Sequence, residues 1–255
     1  MAITVAMPGY ARIKVNGARG LVIEGCQDAV EAILAVETLY QYAARQPDAR
    51  SFKGRAPVYS VMLGESCGSV VVRHAVRGGL LSHTGSDLFF PPTRGLRELV
   101  NSLRLRLAGV PTPEVVAVVS YSAGPVLRRS DVATKEIPDS HDLAAVLREM
   151  DPGDHRNACL RAAGALLQSL ARAGAHHPDL NARNVLVTWD SEDGAGAHVL
   201  DVDRIRFHVP GDPMVARANL ARLFRSLRKL VEKGELAISE TEMELIGAAA
   251  AVPAS

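Results

Sequence analysis

Residues 177–187 read HPDLNARNVLV, and this stretch constrains the fold more than any other part of the chain. Pro178 bars a helix through it, and its polar head runs straight into Val185-Leu186-Val187, which has the composition of a buried strand. Immediately upstream, the segment from Asn157 to Gly174 keeps an apolar stripe through Leu160, Ala163, Leu167, Leu170 and Ala171, and Gly174 is placed to end the helix in a left-handed cap. Downstream, NVLVTW (184–189) and AHVLDV (197–202) flank the turn-forming DSEDGAG and read as a hairpin. A helix, a polar loop and a hairpin therefore follow one another. Packing explains the apolar tail of the loop, but not its His, its Asp and its two Asn.

The texture on either side of this segment differs. A helix is expected over 28–45 (DAVEAILAVETLYQYAAR), followed by Val-rich strands at 57–63, 69–76 and 114–119, with a helix of three- and four-residue leucine spacing at 94–109 between the last two. From about residue 124 helices take over, and the last strong one opens at Asp212-Pro213 and runs to about Gly234. On that helix Leu220, Leu223, Leu227, Leu230 and Val231 form the packed face, with Arg222, Arg225 and Lys229 opposite. The expectation is an α+β chain of two lobes with a cleft between them: an N-terminal, mainly β lobe over 1–121, with residues 1–50 as an extension, and a mainly α lobe over 122–255.

Composition narrows the class. With 255 residues, 47% hydrophobic and 22% charged, the chain has an ordinary globular make-up, and a formal net charge of +1 argues against nucleic acid as a partner. No apolar run is long enough to cross a bilayer and the N-terminus lacks the pattern of a secretory signal, so a cytoplasmic location is expected. Cys26, Cys67 and Cys159 are odd in number and scattered, which suggests buried thiols rather than a disulfide framework or a zinc site.

The polar loop carries the chemistry of phosphoryl transfer, which requires a carboxylate to orient the attacking hydroxyl and oxygen ligands for Mg²⁺. His177-Pro178-Asp179 followed by Asn184 has the H-x-D-x-x-x-x-N spacing of a kinase catalytic loop. Asp201, 22 residues beyond Asp179 at the end of the second hairpin strand, is placed to supply the second metal-binding acid. Asn184 and Asp201 suffice as protein ligands, since Mg²⁺ keeps water and phosphate oxygens in its shell. Asp203 can cap a turn, hold the loop or touch the metal. His177 reads as a residue that hydrogen-bonds the loop backbone rather than as a proton carrier, and His176 and His83 lack paired ligand spacing.

Taken together, HPDLNARN and DVDR resemble the H-x-D-L-N-x-x-N and D-F-D-R segments of the lipopolysaccharide inner-core kinases, within the protein-kinase-like superfamily, and most closely its 3-deoxy-D-manno-octulosonic acid (Kdo) kinases. The similarity extends over roughly 54–230, through VVVRHAVRGGLLSH (71–84), TRGLRELVNSLRLRLAGVPTPEVVA (93–117) and NLARLFRSLRKL (219–230). It implies a bilobal protein-kinase-like fold with ATP and Mg²⁺ as cofactors. Asp179 is implied as the catalytic carboxylate, Asn184 and Asp201 as metal ligands, Arg73 as the residue gripping the nucleotide phosphates, and Glu98 as its ion-pair partner. Its implied substrate is the Kdo-bearing lipid A precursor, met at the cytoplasmic face of the inner membrane. Val202 and Ala75 depart from the family's Phe and Tyr, and no GxGxxG loop precedes the strand.

Several readings stay open at this point. Arg77, Gly78 and Gly79 either form a turn or meet an anionic sugar; Arg222, Arg225 and Lys229 are either a solvated helix side or a contact for acidic headgroups. A heptose kinase of the same pathway, a small atypical protein kinase and an inactive kinase-fold binding module are the alternative functions. Only about ten residues separate Asp203 from the Asp212-Pro213 helix and no A-P-E segment follows, which leaves no long peptide platform and favours a compact substrate.

Overall fold

Asn16 and Gly17 both take positive φ, 48° and 82°, and turn strand β1 (Tyr10–Val15) back onto β2 (Ala18–Ile23) as a tight antiparallel hairpin. The computed structural model describes residues 7–52, 56–76, 87–91, 93–190 and 194–251. Arg77, Gly78, Gly79 and His83 lie outside the described residues.

The chain divides into two compact units. The first holds the described residues up to Val100 together with Glu114–Glu136; the second holds Asn101–Pro113 and the chain from Ile137 onward. The first unit therefore continues to Glu136 rather than ending at residue 121, because a strand unmarked in the sequence reading follows there.

After β2 the first unit runs through α1 (Gln27–Leu34), α2 (Leu39–Arg45), β3 (Arg50–Phe52), β4 (Val58–Met62), β5 (Ser69–His74), the start of α3 (Arg94–Leu107), β6 (Val115–Ser122) and β7 (Arg128–Lys135). The strands form one antiparallel sheet in the order β1-β2-β6-β7-β5-β4-β3. The single helix expected over 28–45 is two: the first ends at Leu34 and Thr38 caps the second, its side chain accepting from the Gln41 N–H while the Gln41 side chain accepts from the Thr38 N–H. Val70 and Val72 are buried on the sheet face that α1 and α2 cover, so alternation sends Arg73 to the other face. Cys26 and Cys67 are joined in this core as a disulfide with Cα atoms 5.5 Å apart, and only Cys159 is a free, buried thiol. The expectation of three thiols is corrected: the sheet brings together two cysteines 41 residues apart, a proximity their spacing does not announce.

In the second unit β8 (Ser140–Asp142) and α4 (Leu143–Glu149) precede the long α5 (Asp154–Arg172), then β9 (Ala175–His176), β10 (Val185–Asp190), β11 (Gly194–Val199), β12 (Arg206–Phe207), α6 (Pro213–Glu232) and α7 (Glu240–Ala250). The expected hairpin is β10–β11, with Val185 opposite Val199, and β8 pairs with the other edge of β10. Leu160, Ala163, Leu167, Leu170 and Ala171 of α5 are all buried, as the stripe predicts, and the helix begins at Asp154. Gly164 lets α7 lie directly on α5, since a Cβ there would come within 2.5 Å of the Ile246 carbonyl oxygen. Helix α6 opens on Asp212, whose side chain accepts from the Met214 N–H, and buries Leu223 and Leu227; Val231, expected on the packed face, is exposed.

Candidate active site

Two groups of site residues are formed, one in each unit. In the first, Arg73 on β5, Val132 on β7 and Val118 on β6 stand in register across three strands. Helix α3 starts against this face because Gly95 lacks a side chain: a Cβ would sit 2.8 Å from Val132 Cγ2 and 2.9 Å from Val118 Cγ1. Glu98, three residues along the helix, then points at the same rows. Its carboxylate is buried and ion-paired with the Arg73 guanidinium. Next to Arg73, His74 Nδ1 lies 2.6 Å from the buried Asp131 carboxylate, whose hydrogen bond pushes the imidazole pKa up against the opposing effect of burial.

The second group is the polar loop itself. Gly174, with φ +65°, ends α5 as expected and turns the chain into β9. His177 is fully buried. Its backbone N–H donates to Asn219 Oδ1 at 2.9 Å, and Asn219 Nδ2 donates to the Ala175 carbonyl at 2.9 Å, so one buried α6 amide clamps both sides of the bend. The ring is pinned as well: Nε2 lies 3.0 Å from the Leu200 carbonyl and Nδ1 accepts the Asp179 N–H at 3.3 Å. Because a carbonyl only accepts, this network assigns the proton to Nε2 and leaves Nδ1 bare. Burial drives the His177 pKa down; the Leu200 carbonyl and the charges of Asp201, Asp179 and Asp203 oppose it without prevailing.

Both Asn side chains then serve Asp179. Asn181 Nδ2 and Asn184 Nδ2 donate to the Asp179 carbonyl at 2.9 and 3.1 Å, and Asn181 Oδ1 caps the 3₁₀ turn Ala182–Asn184 by accepting from the Arg183 N–H. With its NH₂ committed there, Asn184 presents its amide oxygen to other ligands. The backbone carbonyl of Asn184 accepts from the Leu200 N–H at 2.9 Å, which sets Asp201 one residue beyond the hairpin closure. Asp201 takes the left-handed conformation, φ 57°, which few residues other than Gly adopt without strain and which Asp tolerates. Asn101 fixes the following carbonyl, Val202 O, at 2.7 Å, and Thr112 holds Val199 O at 2.9 Å. Asp203 is buried in the short turn after Asp201.

The structure therefore joins Arg73 to Glu98, and links the loop of Asp179 and Asn184 to the hairpin end at Asp201. An amide oxygen and one carboxylate suit Mg²⁺, which holds few protein ligands and many waters and phosphate oxygens. Among the described residues no group of three or more His, Cys, Asp or Glu stands together as a metal cluster.

Three contributors, Arg204, Asn219 and Ser226, went unmarked in the sequence reading, and a fourth, Arg222, was placed there on a basic helix face. Arg204 Nη1 donates to Asp179 Oδ2 at 2.6 Å, and Arg222 Nη2 lies 3.7 Å from Asp179 Oδ1. Ser226 Oγ accepts from the Ala182 N–H at 3.2 Å, and Asn219 forms the clamp described above. Arg222 thus belongs to the loop and not to a solvated basic face. Asn219, Arg222 and Ser226 follow i, i+3, i+7, a polar stripe on an otherwise leucine-bearing helix, and that stripe was the available signal.

An antiparallel β unit carrying an Arg–Glu pair, and a helical unit whose H-x-D-x-x-x-x-N loop is bonded to an acid-bearing hairpin, define a kinase of the protein-kinase-like fold. The comparisons with known proteins agree on the class and narrow it. The chain belongs to the Lipopolysaccharide kinase (Kdo/WaaP) family, whose model matches residues 42–246. It is 27% identical over 202 residues to the 3-deoxy-D-manno-octulosonic acid kinase of Vibrio parahaemolyticus serotype O3:K6, covering 77% of this chain and 79% of the relative. Identity reaches 33% over 180 residues with the enzyme of that name from Actinobacillus succinogenes, covering 68% and 71%. The solved structure of WaaP in complex with acyl carrier protein aligns with a TM-score of 0.56 at 16% identity, over 91% of this chain and 88% of that one, a likeness of fold.

Proposed function

We propose that this kinase transfers the terminal phosphoryl group of ATP to a hydroxyl on a Kdo residue of a lipopolysaccharide inner-core precursor. The observation that carries the reading is the loop: two Asn amides converge on the Asp179 backbone while its carboxylate stays accessible, 38% exposed. A carboxylate so held can orient a sugar hydroxyl and take its proton as the phosphoryl group moves across. The shared name of the curated relatives supports Kdo over a heptose as the acceptor.

Asn184 and Asp201 would hold Mg²⁺, which when bound neutralises charge on the nucleotide phosphates. Arg73, fixed by Glu98, would neutralise further phosphate charge with a fork of donors. In this reading the first unit contributes Arg73 and Glu98, and the second carries the catalytic loop and the acceptor side. No described helix is long and apolar enough to cross a membrane. Arg225, Arg228 and Lys229, beside Leu220 and Phe224 on the outside of α6, offer a surface for anionic headgroups, which suits work at the cytoplasmic face of the inner membrane.

The test is incubation with labelled ATP, Mg²⁺ and three acceptors: Kdo-lipid A, heptosylated core and a generic protein. Kdo-lipid A should be labelled, and Asp179→Asn should lower kcat by about 10²–10⁴-fold with an unchanged fold, the range for a positioned general base. Labelling of heptosylated core or protein alone, or full turnover by Asp179→Asn, would overturn the reading.

A further inference from the structure

We propose that Arg204 and Arg222 form a carboxylate-recognition site beside Asp179 that selects an acidic sugar as acceptor; this rests on the kinase reading above. One carboxylate faces two guanidinium groups there, so the pair exceeds what Asp179 needs for neutralisation. Arg204 alone makes the close bond, at 2.6 Å to Oδ2. Arg222 approaches Oδ1 only to 3.7 Å, and its Nε is buried without a hydrogen-bond partner among the described residues.

A buried donor without a partner is costly, and a guanidinium that has committed so little of its fork is poised to bind an anion. The head groups remain reachable, with the Arg204 side chain 58% and that of Arg222 37% exposed. The local field agrees: after burial itself, His208, Arg206, His177 and Arg222 hold the neighbouring His176 imidazole below its ordinary pKa.

The ligand chemistry follows from the geometry. The site lies against the carboxylate that would receive the acceptor hydroxyl, so the anion it binds belongs to the same molecule and stands a few bonds from that hydroxyl. Kdo, an ulosonic acid, carries its carboxylate on the anomeric carbon of the ring that bears the hydroxyls; a heptose has none. Arg222 and Arg204 would thus distinguish the two sugars of the inner core by charge, with a bidentate guanidinium matched to a carboxylate.

The experiment measures initial rates of the full chain with ATP, Mg²⁺ and either Kdo-lipid A or the same acceptor with its Kdo carboxylate methyl-esterified. Wild type should prefer the free acid by about 10- to 100-fold in kcat/KM, the value of a charge-assisted hydrogen-bonded pair, chiefly through KM for the acceptor. Arg222→Gln should bring the free acid down to the rate of the ester while KM for ATP stays unchanged. Equal use of acid and ester by the wild type would overturn the proposal and leave the kinase reading standing. So would Arg222→Gln lowering kcat on both acceptors in proportion, which would mean it only positions Asp179, or a raised KM for ATP, which would place the phosphates there instead. Transfer to neither acceptor by the wild type would remove the Kdo reading and this proposal with it. If Arg222→Gln fails to fold, the wild-type comparison of acid with ester still decides.

Discussion

His177→Ala tests how the Asp179 loop is held. The ring is fully buried, donates to the Leu200 carbonyl and accepts the Asp179 N–H. Removing it leaves the part-buried Leu200 carbonyl and Asp179 N–H without these partners, at about 1–3 kcal/mol each at most, so with the lost packing of the buried ring a total near 3 kcal/mol is expected. For a chain of this size that lowers Tm by about 6–12 °C. His177→Gln keeps a donor in reach of Leu200 and should lose about half as much. The pH dependence has a definite sign. Because the folded-state pKa is lowered, the unfolded chain binds the proton more readily; the contribution of His177 is complete above about pH 6.5 and is lost as pH falls from there through the folded value. Protonation also puts a hydrogen on Nδ1, facing the Asp179 N–H, so acid strikes the loop at the residue proposed as the catalytic carboxylate. Thermal melts of wild type and both variants from pH 7.5 to 5 measure this. His176 and His198 are displaced in the same direction and cancel in the difference between curves. A His177→Ala protein melting within a degree of wild type, with the same acid slope, would refute the argument.

Other outcomes follow from single contacts. Gly174→Ala should destabilise by at least about 1–2 kcal/mol from its left-handed backbone alone, and more because its Cβ would lie 2.5 Å from the His208 carbonyl oxygen; urea midpoints read the loss. Glu242→Gln leaves the buried Arg156 charge with only neutral partners, the new amide and the Leu147, Met150 and Ala237 carbonyls, in place of its 2.6 Å ion pair, and should cost about 3–5 kcal/mol in the same assay. Burial opposes the Glu242 charge, but the Ser239 backbone and Arg156 hold its pKa below the usual value, so the wild-type advantage is present above about pH 4.5 and fades as pH falls through the folded value. Glu98→Gln weakens the anchor of Arg73 and should raise the Kd for a non-hydrolysable ATP analogue about tenfold by calorimetry.

What the sequence disclosed depended on the range of the interaction. Stripes, caps and hairpins are local, so α5, α6, the Gly174 cap and the β10–β11 pair were legible from spacing alone. Even locally, signals went unused: Asn16-Gly17 is a hairpin dipeptide, and Thr38 with Gln41 is a capping box inside a segment read as one helix. Strand β7 carries Arg128, Arg129, Asp131 and Lys135, and its polar composition hid a central position between β5 and β6.

The site residues divide along the same line. Asp179, Asn184 and Asp201 were singled out because they fall in a motif of recognisable spacing, and what the fold adds is that Asn184 bonds the Asp179 carbonyl and the Leu200 N–H just before Asp201. Asn219, Arg222 and Ser226 serve that motif from about 43 residues away, and no motif ties a helix residue to a loop it meets only in the folded state. Their helix had already been accounted for by its leucines, which made its arginines look like solvent-facing charge. The folded second unit reverses that inference. The leucine face fixes the rotation of α6, that rotation turns the 219–222–226 stripe onto the loop, and the stripe in turn sets the backbone at His177 and Ala182 and the charge around Asp179. Packing of an ordinary amphipathic helix and placement of the Asp179 loop are therefore a single constraint, which is why a substitution such as Leu223→Ala, buried on the leucine face, is expected to reduce turnover as well as stability.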